Sequence, residues 1–161
     1  MAKQKLRKRA GARRGREANQ ARPSWDEYFL GIAKMVASRS TCDRRNVGAV
    51  IVKHKTILST GYNGAPRGLA HCHDAGHELS DGHCIRTVHA EANAVAHAAR
   101  YGAAVEGASI YLTHSPCYDC FKMMVNAGIV EVIYDEFYSS RYGASKAVLV
   151  LAKKAGVKIR N

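Results

Sequence analysis

The segment His89-Ala90-Glu91, followed 25 residues after Glu91 by Pro116-Cys117-Tyr118-Asp119-Cys120, constrains this chain more than any other feature. It offers one imidazole and two thiols, which suit a borderline-soft cation such as zinc, and a carboxylate that the cation does not need. A catalytic zinc takes three protein ligands and keeps its fourth position for water, whereas a structural zinc closes with a fourth side chain. No further Cys or His is paired in sequence with His89, Cys117 and Cys120. The trio is therefore expected to hold a catalytic zinc, leaving Glu91 to move protons. Taken singly, Glu91 is also an ordinary first-turn acid on a helix dipole; the whole constellation favours chemistry.

The same spacing dictates local structure. Cys117 and Cys120 are three apart at an expected helix start, which puts both sulfurs on one side of its first turn. Helix N-termini favour thiolates. His89 stands at the start of another predicted helix, so two helix starts are expected to face one another across one metal.

The rest of the chain supplies the scaffold. Ser24-Trp25-Asp26-Glu27 reads as a capping box, and Phe29, Ile32, Ala33, Val36 and Ala37 recur at helical spacing to about Arg39. Val47 to Val52 is a β-rich run that turns through Lys53-His54-Lys55 into Thr56 to Gly61, an antiparallel hairpin. Residues 62–88 show no periodicity and hold four His and two Cys; a stretch this long is usually functional or pinned. Ala90, Ala94, Val95 and Ala98 predict a helix closed by Gly102, and Ser109 to Thr113 a strand. Pro116 is expected to open a helix that runs to Gly128. Val130 to Tyr134 (strand), Ala144 to Ala155 (helix) and Val157 to Ile159 (strand) complete the order α-β-β-α-β-α-β-α-β. That order predicts an α/β fold, a three-layer α-β-α sandwich around a five-stranded mixed sheet.

Charge divides the chain. The net charge is +12, of which residues 1–22 carry +8 through nine Lys/Arg against Glu17 alone. With Leu6 as its one large aliphatic residue and no aromatics, this segment is expected to be a disordered basic tail, with a single domain over 23–161. Such a tail either contacts nucleic acid or serves as a solvated arm. No apolar run is long enough to cross a bilayer, and no hydrophobic stretch follows the basic start, so neither a membrane partner nor a signal peptide is expected. An odd count of five cysteines, two in a C-x-x-C, favours metal ligation over disulfides and a cytoplasmic setting.

From Trp25 onward the chain resembles the deoxycytidylate (dCMP) deaminases of the cytidine deaminase-like superfamily. The resemblance is carried by Arg39-Ser40-Thr41-Cys42, Val47-Gly48-Ala49-Val50-Ile51-Val52, Gly61-Tyr62-Asn63-Gly64-Ala65-Pro66, His89-Ala90-Glu91 and Tyr111-Leu112-Thr113-His114-Ser115-Pro116-Cys117. The chain is especially similar to the phage and bacterial branch, which includes competence-operon deaminases, and the Gly-Tyr-Asn-Gly segment separates this group from tRNA adenosine deaminases and free cytidine deaminases. The resemblance implies zinc-dependent hydrolysis of dCMP to dUMP and ammonia, feeding thymidylate synthesis. Glu91 would take a proton from the attacking water, pass it to the ring nitrogen and assist departure of ammonia, as a desolvated carboxylate with a raised pKa. The alternatives are deamination of a base in RNA or single-stranded DNA, with the tail as anchor, and a catalytically silent zinc module.

The same resemblance implies further roles. Asn63 would contact the sugar or base, although an Asn-Gly pair is also a common turn. Gly64 and Pro66 would shape the loop over the nucleotide. The Ala90 N–H and the Ser115 carbonyl would read the base edge. Arg44, Arg45, Arg67, Arg86 and Arg141 are candidates for the phosphate. A second, structural zinc on Cys42, Cys72, His77 and Cys84 is implied, with relatives often carrying Cys where this chain has His77; the alternative is buried free thiols and solvated imidazoles. A homo-oligomer (hexamer or dimer) and control by dCTP and dTTP are also implied.

Overall fold

The structure, a computed structural model, describes residues 22–138 and 146–161. The expected basic tail lies outside the described residues, apart from Arg22, and so does the phosphate candidate Arg141.

Helix α1, Trp25–Ala37, starts at the predicted capping box: the Ser24 hydroxyl accepts from the Glu27 N–H, and the Glu27 carboxylate accepts from the Ser24 N–H. Strands β1, Gly48–Lys53, and β2, Thr56–Tyr62, form the predicted hairpin. Its two-residue turn holds His54 and Lys55 at φ of 50° and 62°, the left-handed pair that matches strand twist. The stretch without periodicity is not structureless. It contains a single turn of helix, α2 (Cys72–Ala75), and a miniature hairpin of β3 (Leu79–Ser80) and β4 (His83–Cys84). Helix α3, Ala90–Arg100, then leads to β5, Ser109–His114, α4, Tyr118–Asn126, β6, Glu131–Glu136, α5, Lys146–Ala155, and β7, Lys158–Arg160. Helix α4 begins two residues after Pro116, because Cys117 rather than proline caps it.

The main sheet has the order β2-β1-β5-β6-β7. The β1 pairings are antiparallel, while β5-β6 and β6-β7 are parallel, so the predicted five-stranded mixed sheet is present. Period-two alternation sorts its side chains into two cores. Val50, Val52, Tyr111 and Ile133 pack against Phe29 and Ala33 of α1. Ala49, Ile51, Ile110, Leu112 and Val132 meet α3, α4 and α5 through Ala90, Ala94, Phe121, Met124 and Val148. Helices thus cover both faces, the three layers that the element order implies.

One glycine sets the depth of the site. A Cβ at Gly61 on β2 would collide with the Ala90 carbonyl and the Ala94 nitrogen. Its absence lets the first turn of α3 lie directly on the sheet, which fixes the height of His89 and Glu91. Gly48 plays the same part on the opposite face, beneath Ala33 and Ala37 of α1.

Candidate active site and metal centres

Both key residues of the first cluster are helix N-caps. His89 caps α3 and Cys117 caps α4, each in extended backbone conformation. The Cys117 sulfur accepts the N–H of Cys120 in place of a hydroxyl or carboxylate cap. Two helix N-termini therefore converge, as the spacing predicts, and their dipoles favour negative charge between them. His89 Nδ1 lies 3.5 Å from Cys117 Sγ and 3.4 Å from Cys120 Sγ. A tetrahedral zinc with Zn–S of about 2.3 Å and Zn–N of about 2.0–2.1 Å separates S from N by about 3.5 Å. The donor triangle fits that ion.

Proton sharing tells the same story. Hydrogen bonding from the Cys120 thiol, with help from His89 and the Cys120 N–H, holds the Cys117 thiol down to about 4 against the cost of burial. The Cys120 thiol, donating to that thiolate and buried, is pushed up. The bond to Cys117 raises His89 to about 9. An imidazolium and a thiol thus surround one thiolate, and a divalent cation would displace their protons.

Glu91 follows on the first turn of α3. It is 4 % exposed, and burial raises its carboxyl to about 7, outweighing the nearby His89 charge. It lines a cavity of about 800 Å³ together with His89, Cys117 and Cys120. A carboxyl poised there can both take and give a proton near neutral pH.

The other expected site residues fall into distinct places. Ala90 and Ser115 line the cavity and are buried. The Ser115 hydroxyl accepts from the Tyr138 N–H, and its own N–H donates to the Glu136 carbonyl. Asn63 also lines the cavity, but its amide is largely committed: Oδ1 accepts from the Val47 N–H at 2.8 Å and Nδ2 donates to the Arg45 carbonyl at 2.8 Å. One N–H of that amide remains for a ligand. Gly64 is not on the cavity wall. It pairs with Val88 across an isolated bridge and so ties the Asn63 loop to the residue before His89. Of the described phosphate candidates, Arg44 and Arg45 line the cavity; Arg67 is exposed elsewhere, and Arg86 pairs with Glu78.

Sequence reasoning missed two parts of the wall. The Arg45 guanidinium stacks 3.8 Å above the Tyr138 ring. His114, at the end of β5, also lines the wall; burial and the Arg45 charge lower it against the opposing pull of Glu136, whose carboxylate lies 3.3 Å from Nε2. The Thr113-His114-Ser115-Pro116 run could have signalled His114; nothing local joins residues 45 and 138.

The second cluster forms across the aperiodic stretch. Ligand atoms of Cys42, Cys72 and His77 lie within 4.8 Å of one another, and Cys84 Sγ is 3.6 Å from Cys72 Sγ. Burial and the neighbouring thiols push the Cys72 thiol up to about 12. Burial alone would raise Cys84 too, but the His77 ring and the N–H groups of Glu78 and Arg86 outweigh it and bring the thiol down to about 6. All five cysteines are free thiols. Among the described residues, no helix is long and apolar enough to cross a membrane.

These features have counterparts in known proteins. The family description for the cytidine and deoxycytidylate deaminase zinc-binding region matches residues 23–136. The chain is 43 % identical over 138 residues to ComE operon protein 2 of Bacillus subtilis (strain 168), covering 86 % of this chain and 71 % of that protein. It is 44 % identical over 126 residues to the deoxycytidylate deaminase of Mycobacterium phage D29, covering 71 % of this chain and 96 % of that one. Among solved structures, the dCMP deaminase of cyanophage S-TIM5 in complex with dCMP and dUMP superposes with a TM-score of 0.73 at 32 % identity, over 87 % of this chain and 98 % of that one. The match spans both helix starts and the carboxylate between them, and this chain belongs to the zinc-binding cytidine and deoxycytidylate deaminase family.

Proposed function

We propose that this protein hydrolyses dCMP to dUMP and ammonia. The observation that carries the reading is the placement of Glu91: a buried carboxyl raised to about 7, in the same cavity as a three-donor metal triangle. His89, Cys117 and Cys120 hold zinc, which when bound supplies the Lewis acidity that makes water nucleophilic at neutral pH. Glu91 takes the proton of the attacking water. It delivers that proton to the pyrimidine ring nitrogen and then assists loss of the amine. The Ala90 N–H and the Ser115 carbonyl read the base edge, and the uncommitted N–H of Asn63 meets the sugar. Arg44 and Arg45 stand in the same wall and serve the monophosphate with charge-assisted hydrogen bonds; Gly64 holds the loop that carries Asn63.

A second zinc on Cys42, Cys72, His77 and Cys84 is part of the same reading. It is supported by the meeting of Cys42, Cys72 and His77, with Cys84 3.6 Å from Cys72, between the segment before β1 and the aperiodic stretch. That site would be closed and structural. Free thiols used as ligands fit a reducing cytoplasm. A homo-oligomer, hexamer or dimer, and effector control by dCTP and dTTP belong to the proposal through family membership.

Relatives favour the mononucleotide over a base in RNA or single-stranded DNA. Curated relatives named deoxycytidylate deaminase reach 44 % identity, whereas a solved tRNA:A34 deaminase is 17 % identical and shares the fold alone. A panel of cytidine, dCMP, dCTP, tRNA and single-stranded DNA, with dCTP and dTTP as effectors, tests the reading. Turnover of dCMP above all others is expected; no dCMP turnover by folded, zinc-loaded protein overturns it.

A further inference from the structure

His77 is held from behind by a carboxylate. Asp43 Oδ1 lies 2.9 Å from His77 Nε2. The other ring nitrogen, Nδ1, is buried and has no partner that meets hydrogen-bond geometry, and the ring has a nitrogen within 4.8 Å of the Cys42 and Cys72 sulfurs. A buried ring nitrogen without a partner costs free energy unless something fills its lone-pair direction. If Nε2 carries the proton and donates it to Asp43, Nδ1 keeps a lone pair, and a metal would take the place of the ring's present interaction with the Cys84 thiol. That is the tautomer a metal requires.

We propose that Asp43 is the positioning residue of the second metal site: it fixes the His77 tautomer and ring angle so that Nδ1 ligates zinc. This rests on the reading of Cys42, Cys72, His77 and Cys84 as a zinc site. The Asp43 side chain is 69 % exposed, so its charge is largely screened and Coulomb attraction is not the main effect. Its work is directional, an acceptor aimed at one nitrogen. The chain delivers the two parts together, since Cys42 supplies a sulfur and the next residue supplies the carboxylate. Neighbouring contacts keep the loop in place: the Ser40 hydroxyl bonds to the Asn63 carbonyl at 3.1 Å, and Arg44 Nη2 donates to the Gly82 carbonyl at 3.0 Å. A cysteine at position 77 would not need this carboxylate, because a thiolate has no tautomer to fix.

The test compares wild type, Asp43→Ala, His77→Cys and the double variant, each loaded with Zn²⁺. Zinc per chain is counted, and its release to a chromogenic chelator is timed. Wild type is expected to hold two zinc ions. Asp43→Ala should lose the second one about 10–100-fold more readily, the usual cost of removing such a partner, with release of the first unchanged. In the His77→Cys background the same substitution should have no further effect. As a second readout, the His77 Nε2–H signal in the NMR spectrum of zinc-loaded wild type should shift in Asp43→Ala, whatever the fate of His77→Cys. Unchanged release from Asp43→Ala, or an equal loss in the His77→Cys background, overturns the role of Asp43. A wild type that binds one zinc overturns the second site itself, and with it the proposal.

Discussion

Two groups of the same donor types serve opposite ends in this molecule, and the carboxylate beside each marks the difference. In the first cluster, His89, Cys117 and Cys120 leave a fourth direction toward a cavity, and Glu91 stands on that cavity wall. In the second, Cys42, Cys72 and His77 lie together with Cys84 beside Cys72, and Asp43 stands behind the imidazole. A carboxylate in front of a metal can exchange protons with what binds there. A carboxylate behind a ligand can only aim it. In the function proposed above, donor count and carboxylate placement, rather than residue type, separate chemistry from scaffolding.

The scaffolds differ in the same sense. The first cluster sits on two helix N-termini, and α3 lies directly on the sheet at Gly61. The second is spread over a loop, a single helical turn and a two-residue strand. The first triangle has a sheet and two helices as its base; a metal bound at the second cluster would contribute directly to folding.

Two substitutions can break this contrast, the larger effect first. Cys117→Ser should remove one zinc per chain and reduce deamination to background, while the second zinc stays; metal analysis beside an activity assay decides it. Cys72→Ser should remove the other zinc and lower Tm by about 5–15 °C in calorimetry, with residual turnover in the fraction that remains folded. If it instead abolishes activity without changing Tm, the second cluster is not a structural site.

The smallest effect lies away from both clusters. Arg160 forks onto Asp26 at 2.6 and 3.2 Å and bonds Glu131 at 3.0 Å, tying β7 to the start of α1. The Arg160 guanidinium holds the Asp26 carboxyl below its ordinary range. A depressed carboxylate stabilises the fold above its unfolded pKa, and that contribution is lost as pH falls through the folded value. Arg160→Ala should therefore lower Tm slightly at neutral pH, with the gap to wild type closing in strong acid. A gap that widens on acidification contradicts this.

Much of the molecule is legible in its sequence where the cause is local. The capping box at Ser24, the alternation of β1 and β5, and the converging helix starts all follow from short-range rules. Of the second-metal set implied by family resemblance, Cys42, Cys72 and His77 lie together, with Cys84 3.6 Å from Cys72. The β3-β4 hairpin could have been read and was not: Asp81-Gly82 is a strong two-residue turn signal, and both residues have positive φ, 49° and 78°. Its strands are too short to show periodicity. The cap of α4 hides for another reason, because a cysteine sulfur is an uncommon N-cap and Pro116 looks like the helix opener. The pairs Arg45–Tyr138 and Asp43–His77 are not legible at all. They join residues far apart in sequence through side-chain geometry that no spacing encodes.

The account stands most directly on the work assigned to Glu91. Zinc content and dCMP turnover should be measured side by side for wild type and Glu91→Gln. The amide preserves shape but cannot exchange the proton, so turnover should fall by at least ~10²–10⁴ while zinc per chain is unchanged. A Gln variant that turns over dCMP at the wild-type rate, or one that is inactive because it has lost the ion from His89, Cys117 and Cys120, contradicts it.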